Sequence, residues 1–176
     1  FAAFSPIMRF HGVTPREPWA YSRYAVSVYK FYAWLRENLL KYSVHTAEEA
    51  HKTGIPMMRP LPMVFPEDKE AVYWEDEYFY GSDLLVAPVH QEGEKRRIYF
   101  PSGSWINLLD FRKMVGGNRI FQVDVPIDKI PVYIREGACI LSVMNGELQL
   151  GQSMTYEKKN TVLMSRALNE TSGKRY

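Results

Sequence analysis

Two side chains with donor chemistry stand close together near the start of the chain: Arg9 and His11, in the run Phe4-Ser5-Pro6-Ile7-Met8-Arg9-Phe10-His11. In an extended run, positions 9 and 11 share a side. A guanidinium offers only N–H donors, whereas a neutral imidazole donates from one ring nitrogen and accepts at the other. Such a pair can hold a hydroxyl-bearing ligand. Equally, a lone histidine can be satisfied by local backbone, and an arginine can brace nearby carboxylates. Trp19 adds an aromatic face, for a ligand or for the core.

The other reactive residue types give weaker signals. Glu17 sits in the loop Gly12–Trp19, Glu67-Asp68 follows a proline as turns do, and Asp110, Asp124 and Asp128 fall among short extended segments, so no carboxylate pair stands out for acid–base work. His45 and His51 are six apart, whereas a zinc helix places histidines at i and i+4, so no metal site is expected. Gly116-Gly117 reads as a turn, since no phosphate-loop Lys-Ser/Thr follows. Cys139, the single cysteine, reads as a small buried hydrophobe and rules out an internal disulfide framework. Tyr73, Trp74, Tyr78, Phe79 and Tyr80 can form a carbohydrate platform or fill a core. Asn169-Glu170-Thr171 is a formal glycosylation sequon, discounted without evidence of secretion.

These residues need a scaffold, and composition bounds it. With 176 residues, 46% hydrophobic and 24% charged, the chain is neither disordered nor a bilayer protein; it lacks any apolar run of about 18 residues. A net charge of +2 without a basic run argues against nucleic acid as a partner, and cysteine scarcity points to the cytoplasm. The opening Phe1-Ala2-Ala3-Phe4 is not a signal peptide, and it reads as a chain that starts inside a larger domain.

Phe1–Phe10 reads as a buried strand leading to a Pro- and Gly-rich loop. From Ala20, Tyr21, Tyr24, Val28, Phe31, Leu35, Leu39 and Tyr42 recur at helical spacing; Lys52-Thr53-Gly54 and Pro56 end the pattern. That length predicts a break near Lys30 or Lys41. Beyond Pro56 the rhythm changes to short strands separated by Gly, Pro, Asn or Asp, as in an antiparallel sandwich. Within the last thirty residues the rhythm is lost, and 157–160 and 171–175 read as solvated. A strand and helix alone cannot bury themselves; they want a parallel α/β sheet or barrel around them.

Several ordered motifs carry a family resemblance over roughly residues 1–141. They are Phe4–His11 with Glu17-Pro18-Trp19, Leu39–Tyr42 through Ala47–Ala50, Arg59-Pro60-Leu61 with Phe65–Asp68, Gly81–Val89, Phe100–Trp105 and Pro131–Ala138. Together they resemble glycoside hydrolase family 31, the α-glucosidases and α-xylosidases. The sequence departs from the family at Lys41 and Leu141, where a proline is usual. The resemblance implies a mixed α and β fold: the last strand and helix of a (β/α)₈ barrel over 1–54, and a proximal antiparallel β-sandwich over 55–145. A tail or further domain would fill 146–176. It implies retaining hydrolysis of non-reducing α-linked glucosyl or xylosyl residues, with no cofactor and with both catalytic aspartates upstream of Phe1. Under it His11 hydrogen-bonds the sugar, Arg9 contacts or braces it, and Trp19 is a third candidate substrate contact. The partners are then an α-linked oligosaccharide and the remainder of the barrel. The competing expectation is a stand-alone, non-catalytic carbohydrate-binding or interaction module.

Overall fold

The structure, a computed structural model, describes residues 1–111, 114–144, 149–153 and 160–165. Its first regular elements are helices. A 3₁₀ turn spans Ala2–Phe4 and another Pro18–Ala20; α1 runs Arg23–Asn38 and α2 runs Leu40–Thr53. The hydroxyl of Ser22 accepts from the Ala25 amide and caps α1, while Gly54 closes α2 in the left-handed conformation that glycine adopts without a Cβ penalty. The break falls at Leu39, beside Lys41, and α1 passes Lys30 unbroken. Asn38, a poor helix former, ends α1 and spends its amide on distant backbone: Nδ2 donates to Val143 O (2.6 Å) and Oδ1 accepts from Gly151 N (2.8 Å).

Strands follow. β1 is Met58–Pro60, α3 Leu61–Val64, β2 Tyr78–Tyr80, β3 Leu84–Val86, β4 Lys95–Phe100 and β5 Ser104–Asn107. β6 is Met114–Gly116, β7 Arg119–Asp124, β8 Val132–Arg135, β9 Cys139–Met144 and β10 Asn160–Ser165. All pair antiparallel, in a six-stranded sheet of order β1-β2-β3-β8-β5-β6 and two ribbons, β4-β7 and β9-β10.

The six-stranded sheet is the middle layer. Its strands β2, β3 and most of β8 are buried at every position, so neither face meets water. Period-two alternation divides them between two cores. Tyr78, Tyr80, Leu84, Val86, Val132 and Ile134 pack toward Tyr32, Leu35, Leu39 and Tyr42 of the helices. Phe79, Leu85 and Tyr133 pack instead toward Trp105 and toward Ile98 and Phe100 of the β4-β7 ribbon. Polar pins fix the helix layer. Tyr42 Oη donates to Tyr80 O and accepts from Asp83 N; Tyr32 Oη donates to Asp128 O and accepts from Ile130 N. Gly81 is required here: its φ is +68°, and a Cβ would lie 2.2 Å from the Tyr42 hydroxyl.

Four expectations need correction. Phe1–Phe10 is not a strand: among the described residues no strand lies beside it, and four of its carbonyls accept from the Arg36 side chain instead. Tyr21 and Tyr24 of the expected apolar face are exposed, because the sheet meets α1 only from its middle onward. Cys139 is exposed, since its neighbours Ala138 and Ile140 take the buried side of β9. A strand, β10, runs through 160–165, where the sequence shows no strand rhythm; 157–159 and the sequon at Asn169 lie outside the described residues.

Because Phe79 is fully buried between sheet and ribbon, Phe79→Ala should cost about 3–5 kcal/mol in chemical denaturation. Ile127→Ala, at an exposed position, should stay within about 0.5 kcal/mol of the parent protein.

Candidate functional site

The segment that carries Arg9 and His11 is tied to α1 by one side chain. The Arg36 guanidinium donates to the carbonyls of Ala2, Ala3, Ser5 and Pro6, at 2.5–3.3 Å. Ser5 Oγ tightens the bend by donating to Ala2 O and Ile7 O. Farther on, the Phe10 ring packs against Tyr29 with centroids 5.1 Å apart. Phe10 thus leans on the helix, while its neighbours Arg9 and His11 stand exposed and meet each other.

Arg9 Nη2 lies 2.7 Å from His11 Nδ1. A guanidinium can only donate, so Nδ1 must accept. The ring proton is therefore on Nε2, and the imidazole is neutral while the contact lasts, since a doubly protonated ring has no lone pair for Arg9. Arg9 makes His11 a directed N–H donor through Nε2, a tautomer suited to a hydroxyl acceptor. The two residues come together as expected, although on an irregular segment instead of a strand.

Trp19 corrects the core alternative. It sits on the 3₁₀ turn Pro18–Ala20, 74% exposed, with Pro18 taking the buried place. Among the described residues it has no hydrogen bond or ring contact with Arg9 or His11. The carboxylate of Glu17 accepts from Arg16 N. Behind Phe10 lies an apolar cavity of about 470 Å³ lined by Tyr24, Val28, Tyr29, Tyr32 and Ile127, which neither Arg9 nor His11 lines. Among the described residues no cluster of His, Cys, Asp and Glu has the makings of a metal site.

Burial perturbs groups elsewhere. Glu77 is 2% exposed; burial pushes its carboxyl up to about 8, opposed by the hydrogen bond from Tyr99 N and by Arg96. Its Oε2 has no hydrogen-bond partner among the described residues. Arg135 lies over the rings of Phe65, Phe79 and Trp105, 4.9–5.7 Å from their centroids, and desolvation lowers its pKa. Sequence reasoning overlooked Arg36, Glu77 and Arg135. Glu77 stands in the acidic run Glu75-Asp76-Glu77, where nothing local marks it for burial, and nothing local marks Arg36 as the anchor.

The family model for the glycosyl hydrolase family 31 C-terminal domain matches residues 54–140. An isomaltosyltransferase of Sporosarcina globispora is 34% identical over 164 residues, 85% of this chain and 15% of that protein. An α-xylosidase of Saccharolobus solfataricus is 34% identical over 143 residues, 80% of this chain and 19% of its own length. The chain therefore spans under a fifth of these relatives. Among solved structures, the cycloalternan-forming enzyme of Listeria monocytogenes, in complex with pentasaccharide substrate, superposes with a TM-score of 0.87. It is 31% identical, and the match covers 92% of this chain and 17% of that one. A family 31 dextranase of Flavobacterium johnsoniae, as a mutant complexed with isomaltotriose, gives a TM-score of 0.72 at 33% identity over 75% of this chain and 16% of its own. The chain belongs to glycoside hydrolase family 31 and covers a C-terminal part of it.

Two outcomes test this geometry. Arg9→Ala should release His11 into a mixture of tautomers, read from its ¹⁵N ring shifts; an unchanged Nε2–H population would contradict the assignment. For Glu77, a folded value of about 8 against an unfolded value of 4.5 means that the native state holds the extra proton. Its contribution is complete at low pH and lost as pH rises through that window. Stability should fall from about pH 5 to about pH 8, and Glu77→Gln should flatten that slope.

Proposed function

We propose that this chain is the carboxy-terminal segment of a retaining α-glycoside hydrolase acting on non-reducing α-linked glucosyl or xylosyl residues. Residues 1–54 form the end of its (β/α)₈ barrel, 55–145 its proximal sandwich, and 146–176 a tail or the start of a further domain. His11 donates from Nε2 to a sugar hydroxyl; Arg9 holds the imidazole in that tautomer. Trp19 supplies an aromatic face at the rim of the same site.

The observation that carries this reading is the directed Arg9–His11 pair standing exposed on a segment anchored to α1, in a member of family 31. Around it lies a concentration of exposed apolar side chains, Phe1, Ile7, Val13, Trp19, Tyr21 and Tyr24, as the remainder of a barrel would cover. Retaining hydrolysis needs two carboxyls about 5–5.5 Å apart, one to attack the anomeric carbon and one to protonate the leaving oxygen. Here Glu17, Glu49, Asp68, Glu70, Asp76 and Asp83 hold structural partners, which favours a catalytic pair supplied by the preceding polypeptide. A histidine that donates to a hydroxyl fixes the position of the sugar ring against the reacting carboxyls, and that orientation lowers the barrier. Water and a sugar hydroxyl attack the same glycosyl-enzyme intermediate, so hydrolases and transferases can share this machinery.

In the polypeptide that carries the whole barrel, His11→Ala should lower kcat/KM for a nitrophenyl α-glucoside or α-xyloside by about 10²-fold or more. Near-normal kinetics would remove the sugar-binding role. The 176-residue chain alone should give no turnover, and measurable hydrolysis would contradict the assignment of the acids to the preceding polypeptide.

A further inference from the structure

The outer side of the β4-β7 ribbon carries a cleft that the function above leaves unused. Trp74 follows the 3₁₀ turn Ala71–Tyr73 and is half-buried. Its ring lies nearly parallel to Tyr99, with an interplanar angle of 17° and centroids 5.8 Å apart, and the Arg97 guanidinium carbon sits 5.8 Å from the indole centroid. Arg97 and Tyr99 alternate along β4 and so share a face. The indole N–H donates to Glu70 Oε1 at 3.1 Å. Ring stack, cation and hydrogen bond together hold the indole in place, so a ligand need not pay to order it.

Two adjoining cavities, of about 390 and 510 Å³, share Trp74, Asp76, His90 and Arg97 in their walls. Both fall in the size range of small-ligand clefts. Asp76 is already positioned: Oδ1 accepts from Arg96 Nη2 at 2.9 Å, and Oδ2 lies 3.3 Å from His90 Nε2. Arg96 lines the cleft with its side chain 8% exposed, and its Nε has no hydrogen-bond partner among the described residues.

The charges decide the ligand class. Glu70, Glu75 and Asp76 are matched in number by Lys95, Arg96 and Arg97, so these charges of the walls cancel. A phosphate or an acidic peptide gains little from such a site, and a greasy ligand would strand its polar walls. An uncharged, hydroxyl-rich ring suits it: its C–H face lies on an indole, and its vicinal hydroxyls bridge carboxylate and guanidinium. We propose that the cleft around Trp74 is a saccharide-binding site that takes a pyranose unit of an α-linked oligosaccharide. The α-linkage rests on the function proposed above; the sugar chemistry rests on the cleft.

The test uses the full chain, titrated with maltotetraose and with isomaltotetraose. The reporter is the Trp74 indole N–H resonance, assigned by its loss in Trp74→Phe. A saturable shift with either saccharide is expected. In calorimetry, Trp74→Ala and Arg97→Ala should each weaken binding about tenfold or more, while Ile127→Ala, outside the cleft, leaves it unchanged. Arg97 is exposed, so its variant carries the test if Trp74→Ala fails to fold. A resonance that stays still up to about 10 mM saccharide overturns the site, as does one that moves with inorganic phosphate and not with saccharide. Binding lost in His11→Ala but kept in Trp74→Ala and Arg97→Ala also overturns it, and would leave the proposed function standing.

Discussion

A sheet with two dry faces constrains everything else in this protein. β2, β3 and β8 have no polar side to give to water, so the chain must supply a cover for each face. Helices α1 and α2 cover one and the β4-β7 ribbon the other. The arrangement explains why Phe79 and Tyr80, adjacent in sequence, belong to different cores. It also explains the bidentate tyrosines. Tyr32 and Tyr42 each satisfy one carbonyl and one amide, Tyr42 at the turn between β2 and β3 and Tyr32 in the segment 128–130 before β8.

From that packing a line of support runs to the candidate sugar site. The sheet fixes α1 through Tyr32 and Leu35, and Arg36 follows directly after them in the sequence. Its guanidinium takes four backbone carbonyls of the opening segment, and that segment delivers Arg9 and His11. Charge-assisted bonds to carbonyls are among the stronger hydrogen bonds, so one side chain can do what a row of strand pairing would otherwise do. The sheet therefore reaches the candidate site through α1.

Much of this was legible in the sequence, and the rest was hidden for identifiable reasons. The helical period, the Gly54 stop and most strands follow from local chemistry. So does the pairing of positions 9 and 11, which needs only that the segment be roughly extended. The strand expected over 1–10 depended on partners that local sequence cannot supply, and the 3₁₀ turn at Ala2–Phe4 replaces it. The core placement weighed for Trp19 fails because an aromatic side chain carries no mark of its burial in the sequence; Pro18 occupies the buried position instead. β6 was missed because Gly116-Gly117 looks like a turn, yet Gly116 pairs with Ser104 and the chain turns at Asn118, whose φ is +57°. Arg36 and Glu77 were invisible because their roles are long-range: Arg36 meets carbonyls some thirty residues away, and Glu77 is buried by the ribbon.

The central claim is that His11, held by Arg9 with its proton on Nε2, contacts the sugar. The most direct measurement is a structure of the polypeptide proposed to carry the whole barrel, with a glycosyl unit bound beside His11. The account predicts the His11 Nε2 within about 2.7–3.2 Å of a sugar hydroxyl, with Arg9 still on Nδ1. An imidazole turned away from the sugar, or one presenting Nδ1 to it while Arg9 binds elsewhere, would contradict the account.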